Sequence, residues 1–261
     1  MYQELLRCAW KPGWGPALRI ATVAGAVVFA VISPPRSKAQ ATGFAPSMAR
    51  MDGSISVKEL QVSLKAKREF EQGFRKLEDQ DPAASLPHFA AAIQAAPSFY
   101  EAYYDKGVAE SSLGQNDAAL RSFQSAINLS NGHFPRAEFG YALALCRAGN
   151  AAEAERVVRH GIVAGGNIAD GYIVLGAVLI DLKRFDEAEH SALAALQLQG
   201  PDAAQGHLVL ADVKAERGDY AGKAREIDLY LASVPGDKGR GNLLRIRDAA
   251  RHLAARMQAR R

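Results

Sequence analysis

Tyr100–Leu129 reads YEAYYDKGVAESSLGQNDAALRSFQSAINL, and its spacing recurs before and after it at intervals of 34 or 35 residues. The break between its two helical stretches, Leu113-Gly114-Gln115-Asn116, has counterparts at Ala148-Gly149-Asn150, Leu182-Lys183-Arg184-Phe185 and Arg217-Gly218-Asp219-Tyr220. The second residues of these breaks stand at 114, 149, 183 and 218. One step further back lies Gln80, inside the polar stretch Glu78-Asp79-Gln80-Asp81-Pro82. A fixed period of this length marks a chain built from stacked supersecondary units, each too small to bury its apolar stripe alone.

Residue types recur with the same register. The second unit holds Tyr103, Gly107, Ala119, Phe123 and Ala126, and the first holds Gly73, Phe89, Ala92 and Pro97. The fourth holds Tyr172, Leu175, Gly176, Leu179, Ala188 and Ala195 before Gly200-Pro201, and the fifth Leu210, Ala211, Tyr220, Ile227 and Pro235. The third keeps Tyr141, Ala142, Leu145 and Ala154 but has Glu138 at an aromatic position and Gly161 at a small one usually filled by alanine. Small residues at fixed points let two helices approach closely, and large apolar residues fill the space left over.

With this register the chain resembles the tetratricopeptide repeat (TPR) family, a 34-residue helix-turn-helix motif. The resemblance implies an all-α, right-handed solenoid of about five repeats over residues 66–236. Lys223 departs from it, standing where an alanine belongs in the fifth repeat with Ala224 just after. Beyond Pro235-Gly236, residues 242–257 read as an amphipathic helix with Leu243, Leu244, Ile246, Ala250, Leu253, Ala254 and Met257 on one face and Arg245, Arg247, Arg251 and Arg256 on the other. Residues 237–261 are expected to be a basic cap over the open end of the stack.

The net charge of +4 comes entirely from residues 1–41, which carry five cations and one anion. Residues 42–235 hold 19 basic and 25 acidic residues, and the last 26 hold eight basic and two acidic ones. An acidic body does not offer the concentrated cationic face that phosphate backbones require, so no nucleic-acid partner is expected. Cys8 and Cys146 are too few for a disulfide framework, and Cys146 reads as a packed thiol. The six histidines show no HxxxH or HExxH spacing, and no nucleophile elbow or phosphate-binding glycine loop occurs. Gly165-Gly166 reads as a turn between repeats. No catalytic residue, metal or cofactor is expected.

Ile20–Ile32 is an uncharged apolar run of 13 residues after Arg7, Lys11 and Arg19, and Ala39-Gln40-Ala41 offers a small-residue cleavage site. That length suits a signal-peptide core, so residues 1–41 are expected to export the chain to the periplasm or beyond. The alternative is an uncleaved anchor through residues 17–32, the one expected route to a membrane. Residues 42–65 read as a linker followed by an extended lead-in, Ile55–Leu64, lying against the first helices.

The fifth position of each first helix is Phe70, Tyr104, Phe139, Ile173 and Leu208. In TPR proteins this position usually faces the concave groove, as do the neighbours Phe74, Val108, Leu143 and Ala177. The resemblance thus implies an apolar groove for a protein or peptide partner. The competing reading has these residues packing against the lead-in or adjacent helices. No asparagine lies on any first helix, so a family-type clamp on a terminal carboxylate is not expected. The overall layout is similar to bacterial exported TPR proteins, which implies a non-enzymatic scaffold or adaptor of the envelope. The alternative is a regulatory or assembly subunit of an envelope enzyme or secretion complex, recruited through the basic C-terminal helix.

Overall fold

The computed structural model describes residues 62–165, 168–198, 200 and 202–259. The expected leader, most of the linker and lead-in, Gly166, Pro201 and the final two arginines lie outside the described residues. Helices α1 (Leu64–Glu78) and α2 (Pro82–Ala95) form the first pair, α3 (Tyr100–Ser112) and α4 (Asn116–Ser130) the second, and α5 (Pro135–Arg147) and α6 (Ala151–Gly165) the third. Helices α7 (Ala169–Asp181) and α8 (Phe185–Gln197) follow, then a short 3-10 turn Ala203–Gln205, α9 (Gly206–Glu216) and α10 (Tyr220–Ser233). A single longer helix, α11 (Arg240–Gln258), ends the stack. Among the described residues no helix is long and apolar enough to cross a membrane. Of the expected lead-in, Leu64 already belongs to α1, which Ser63 caps by accepting from the Ala66 amide at 3.1 Å. Val62 packs with Ala66, Ala96 and Phe99.

The turn inside each pair is one structure made five times. Gln80, Gly114, Gly149, Lys183 and Gly218 all adopt positive φ, from 62° to 88°. In each case the next amide donates back to the carbonyl five residues earlier: Asp81 to Lys76, Gln115 to Glu110, Asn150 to Leu145, Arg184 to Leu179 and Asp219 to Lys214, at 2.8–2.9 Å. This left-handed helix stop satisfies carbonyls that the helix end leaves unpaired. Glycine serves it without strain, so Gln80 and Lys183 hold a conformation that L-residues disfavour.

Close approach of helices follows from missing side chains. The Phe123 ring sits where a Cβ on Gly107 or Gly140 would be, 2.9 Å and 2.6 Å away, which locks α4 between α3 and α5. Phe89 does the same against Gly73. Small residues fix the second helices: Ser85, Ala119, Ala154, Ala188 and Ala224 are all buried. The last lies one residue beyond the expected register, because Lys223 instead reaches back to Asp212 at 3.4 Å.

The third repeat compensates its own departures. Glu138 is buried, and its carboxylate and the edge of Phe139 occupy the room left by the missing Gly161 side chain. His160 Nδ1 lies 3.0 Å from Glu138 Oε2. The first and fifth repeats bridge their helices in the same way, Glu69 with His88 at 3.0 Å and His207 with Glu226 at 2.8 Å.

First helices of adjacent repeats touch each other, α5 with α7 and α7 with α9, whereas their second helices pack chiefly against first helices. The stack therefore curls with α1, α3, α5, α7 and α9 on its inner wall. Its curl brings the two ends together: Lys238 Nζ donates to the carbonyl of Glu78 at 2.9 Å. At the far end α11 buries Leu243 and Ala250 against α10, and Arg247 and Arg251 both pair with Asp228. Half of the four arginines expected to face outward are thus spent within the fold.

Candidate interaction surface

The inner wall does not present the expected apolar ladder. Phe139 is 1% exposed, and Ile173 and Leu208 are fully buried. The ring of Phe139 stands where Cβ atoms on Gly161 of α6 and Gly171 of α7 would be, 2.8 Å from each. This residue is a knob between repeats; Ile173 packs in the same cluster, and Leu208 in a second one with Ile227, Leu231 and Leu243. Tyr104 is half-buried, its ring 5.7 Å from Phe123 and 5.2 Å from Phe134 in an edge-on contact. Val108, Leu143 and Ala177 are buried among neighbouring helices. Phe70 and Phe74 remain half-buried at the N-terminal end, Phe70 against Phe99 at 4.9 Å. Cys146 is buried, as the packed-thiol reading expects. Six of the nine expected groove residues therefore hold the stack together. A close inner wall accounts for this, since each first helix meets both its own partner and the first helices beside it.

A different row runs along the starts of the inner helices, exposed at Arg136 and buried at Asp170 and Gln205. Three residues before each ladder residue, close to where each first helix begins, stand Lys67, Glu101, Arg136, Asp170 and Gln205, at the same 34- and 35-residue intervals as the turns. Arg136, at the start of α5, is the hub: its Nε lies 3.0 Å from Asp170 Oδ2 and its Nη2 3.8 Å from Asp202 Oδ2. The Arg136 side chain is 48% exposed, so the cluster opens to solvent through it. Asp202, in the link before α9, accepts from Gln205 Nε2 at 2.8 Å. Asp105 adds a buried carboxylate from α3.

The electrostatics of this cluster are unbalanced. Burial, with Glu101 nearby, pushes the Asp105 carboxyl up to about 7, and Arg136 only partly offsets this. Burial and then Asp170 raise Asp202 to about 6. Burial and the neighbouring Asp105 likewise raise the Tyr104 phenol. Arg136 is desolvated too, but Asp170, Tyr104 and Asp202 outweigh that and hold its pKa above the ordinary value. Around the Arg136 guanidinium stand Asp105, Asp170 and Asp202. At Asp105 and Asp202 the cost of burial outweighs the attraction of Arg136, so these two carboxyls keep their protons to higher pH.

The arrangement can hold charge on a partner. Among the described residues no group of three or more histidine, cysteine, aspartate or glutamate side chains is placed to hold a metal ion. The polar row was missed in the sequence because no single residue in it is conspicuous. The signal was the period itself, read at the second helical position instead of the fifth.

Comparisons agree with this architecture. A family model described as tetratricopeptide repeat matches residues 70–132, 104–159 and 174–238. Among solved structures, a thermophilic TPR protein of Thermus thermophilus is 19% identical, with a TM-score of 0.64 over 71% of this chain and 98% of that one. PilW, a type IV pilus biogenesis factor, is 18% identical, with a TM-score of 0.58 over 76% of this chain and 94% of that one. No curated protein matches the chain in sequence. Five turns of one geometry, helix pairs at one spacing and a family match over more than half the sequence agree: the chain belongs to the tetratricopeptide repeat family.

Proposed function

We propose that this protein is a non-enzymatic scaffold or adaptor of the bacterial envelope, exported by residues 1–41, that holds an extended segment of a partner against its inner wall. TPR proteins bind protein or peptide partners. The observation that carries the reading here is the polar row Glu101, Arg136, Asp170 and Gln205, repeated at the starts of four successive first helices and open to solvent at Arg136. The leader reading rests on the apolar run Ile20–Ile32 and its basic flank. Recruitment through the basic C-terminal helix is the weaker reading, since Arg247 and Arg251 are engaged by Asp228.

Photo-crosslinking in living cells separates the surfaces. A crosslinking residue is placed at Ser112 on the inner helix α3, at Val163 on the outer helix α6, or at Met257 on α11; the last two are exposed. The scaffold reading expects a specific adduct from Ser112 and none from Val163. An adduct from Met257 alone assigns binding to the C-terminal helix. Fractionation with intact mass tests location: a periplasmic species lacking 1–41 is expected, and a full-length cytoplasmic one overturns export.

A further inference from the structure

We infer that Lys238 is a clasp that closes the ring of repeats and thereby controls entry to the inner wall; the control of entry rests on the inner-wall reading above. The turn after α1 pairs the carbonyls of Lys76 and Leu77, which accept from the Asp81 and Gln80 amides at 2.9 and 3.0 Å. The carbonyl of Glu78, the last of the helix, is left over, and the residue four further on is Pro82, which has no N–H to offer. Lys238 supplies the donor from 160 residues away, its Nζ 2.9 Å from the Glu78 oxygen. A cation at this place also meets the negative end of the helix dipole. The donor is in turn held by the far end of the chain. Asp237 accepts from the Tyr230 hydroxyl and from the Gly239 amide, and Arg240 Nη1 donates to the Leu231 carbonyl at 3.0 Å. These bonds fix residues 237–240 to α10, so Lys238 moves with the fifth repeat and its contact joins the two ends of the stack.

The junction is weak by comparison with the rest of the stack. Among the described residues no packed face joins α1 or α2 to α10 or α11. Lys238 is exposed, and the acidic Glu78, Asp79 and Asp81 are set against Arg75 and Lys76 in the same stretch, so distant charge adds little to the hydrogen bond. An exposed contact of this kind shifts an equilibrium by no more than about fivefold. Interfaces between repeats, which bury rings such as Phe123 and Phe139, stay shut on that scale. The two ends therefore exchange between a closed and an open arrangement while each repeat interface is kept. When the ends touch, the inner helices face one another around the ring, and an extended segment reaches them only by threading along its axis. When they part, the segment enters from the side. A partner seated on the inner wall draws the chain toward the open form by its preference for that form.

The test uses the full chain with Cys8→Ser and spin labels at Gln72→Cys on α1 and Ala232→Cys on α10, both exposed positions; Cys146 is buried and is kept. Pulsed electron-spin measurements give the distance distribution between the two ends. Lys238→Ala is expected to lower the ratio of short to long distances about fivefold, and Lys238→Arg, which keeps a cationic donor, to restore most of it. A distribution unmoved by Lys238→Ala in a chain of unchanged melting temperature overturns the clasp, as does a parent chain that shows only the long distance. Entry is read from the Ser112 crosslink, whose yield is expected to rise in Lys238→Ala and to fall back in Lys238→Arg. A shifted distance with an unchanged yield overturns the control of entry. No Ser112 adduct in any of these chains defeats the inner-wall reading instead, and the distances still decide whether Lys238 closes the ring.

Discussion

Arg136 Nε lies 3.0 Å from Asp170 Oδ2, which ties the start of α5 in the third repeat to the start of α7 in the fourth. Arg136 is half exposed and Asp170 nearly buried, so the pair is screened on one side only. Arg136→Ala leaves Asp170 and Asp202 without their cation and is expected to destabilise the stack by about 1–3 kcal/mol. Adding Asp170→Asn should restore part of that loss, because one of the stranded charges is then gone. Urea unfolding of the two single variants and the double variant measures the coupling. Simple additivity would show that the pair is not an energetic unit.

Phe139 fills the room between Gly161 and Gly171. Phe139→Ala is expected to cost about 3–5 kcal/mol, since α6 and α7 cannot close on the space a large ring leaves. Gly171→Val should cost about 1–3 kcal/mol by forcing the same contact apart. Both are read from denaturant midpoints. A loss of partner binding from Phe139 with full stability would instead return this residue to the partner-facing surface.

Lys183 and Gly114 occupy equivalent turns with φ of 62° and 75°. Lys183→Gly removes left-handed strain and is expected to stabilise by about 0.5–1 kcal/mol, although it gives up an exposed pairing with Glu216. Gly114→Ala meets no neighbouring atom, so its expected cost of about 1 kcal/mol is conformational alone. Thermal unfolding of both variants decides the matter; a stability loss in Lys183→Gly would contradict the strain argument.

The Asp105 carboxyl is pushed from an ordinary 3.8 to about 7 by burial and by Glu101. Between these values the folded chain binds a proton that the unfolded chain has lost, so this group's contribution to stability falls as pH rises from about 4 to 7. Asp105→Asn should therefore be near neutral at pH 4 and stabilising by about 1–3 kcal/mol at pH 8. Melting temperatures of the two proteins across that range give the difference directly. A constant difference would mean that Asp105 does not titrate in this window.

The turns were legible in the sequence because a left-handed residue leaves a mark at a fixed place: Gly114, Gly149 and Gly218 announce it, and the period then finds Gln80 and Lys183. The helix pairs were legible for the same reason, as Gly107 and Phe123 are one contact written at two positions. Orientation at the surface was not. Tyr104, Phe139 and Ile173 are apolar at a position that the family usually turns to its groove, and here the stack has drawn them inward. Which side of a first helix stays wet depends on how tightly five repeats curl, and the Lys238–Glu78 contact that reports this spans 160 residues. The Glu138, Gly161 and His160 arrangement shows the same limit, with two apparent departures from the motif that make sense only when placed against each other.

The central claim is that the polar row on the inner wall meets the partner. The most direct measurement is the yield of the Ser112 crosslink in the chain carrying Glu101→Gln, Asp105→Asn and Gln205→Leu together, with its melting temperature taken alongside. The account predicts that the yield falls about tenfold, the equivalent of about 1.4 kcal/mol of binding, while the fold is retained. An unchanged yield from a folded variant would contradict it.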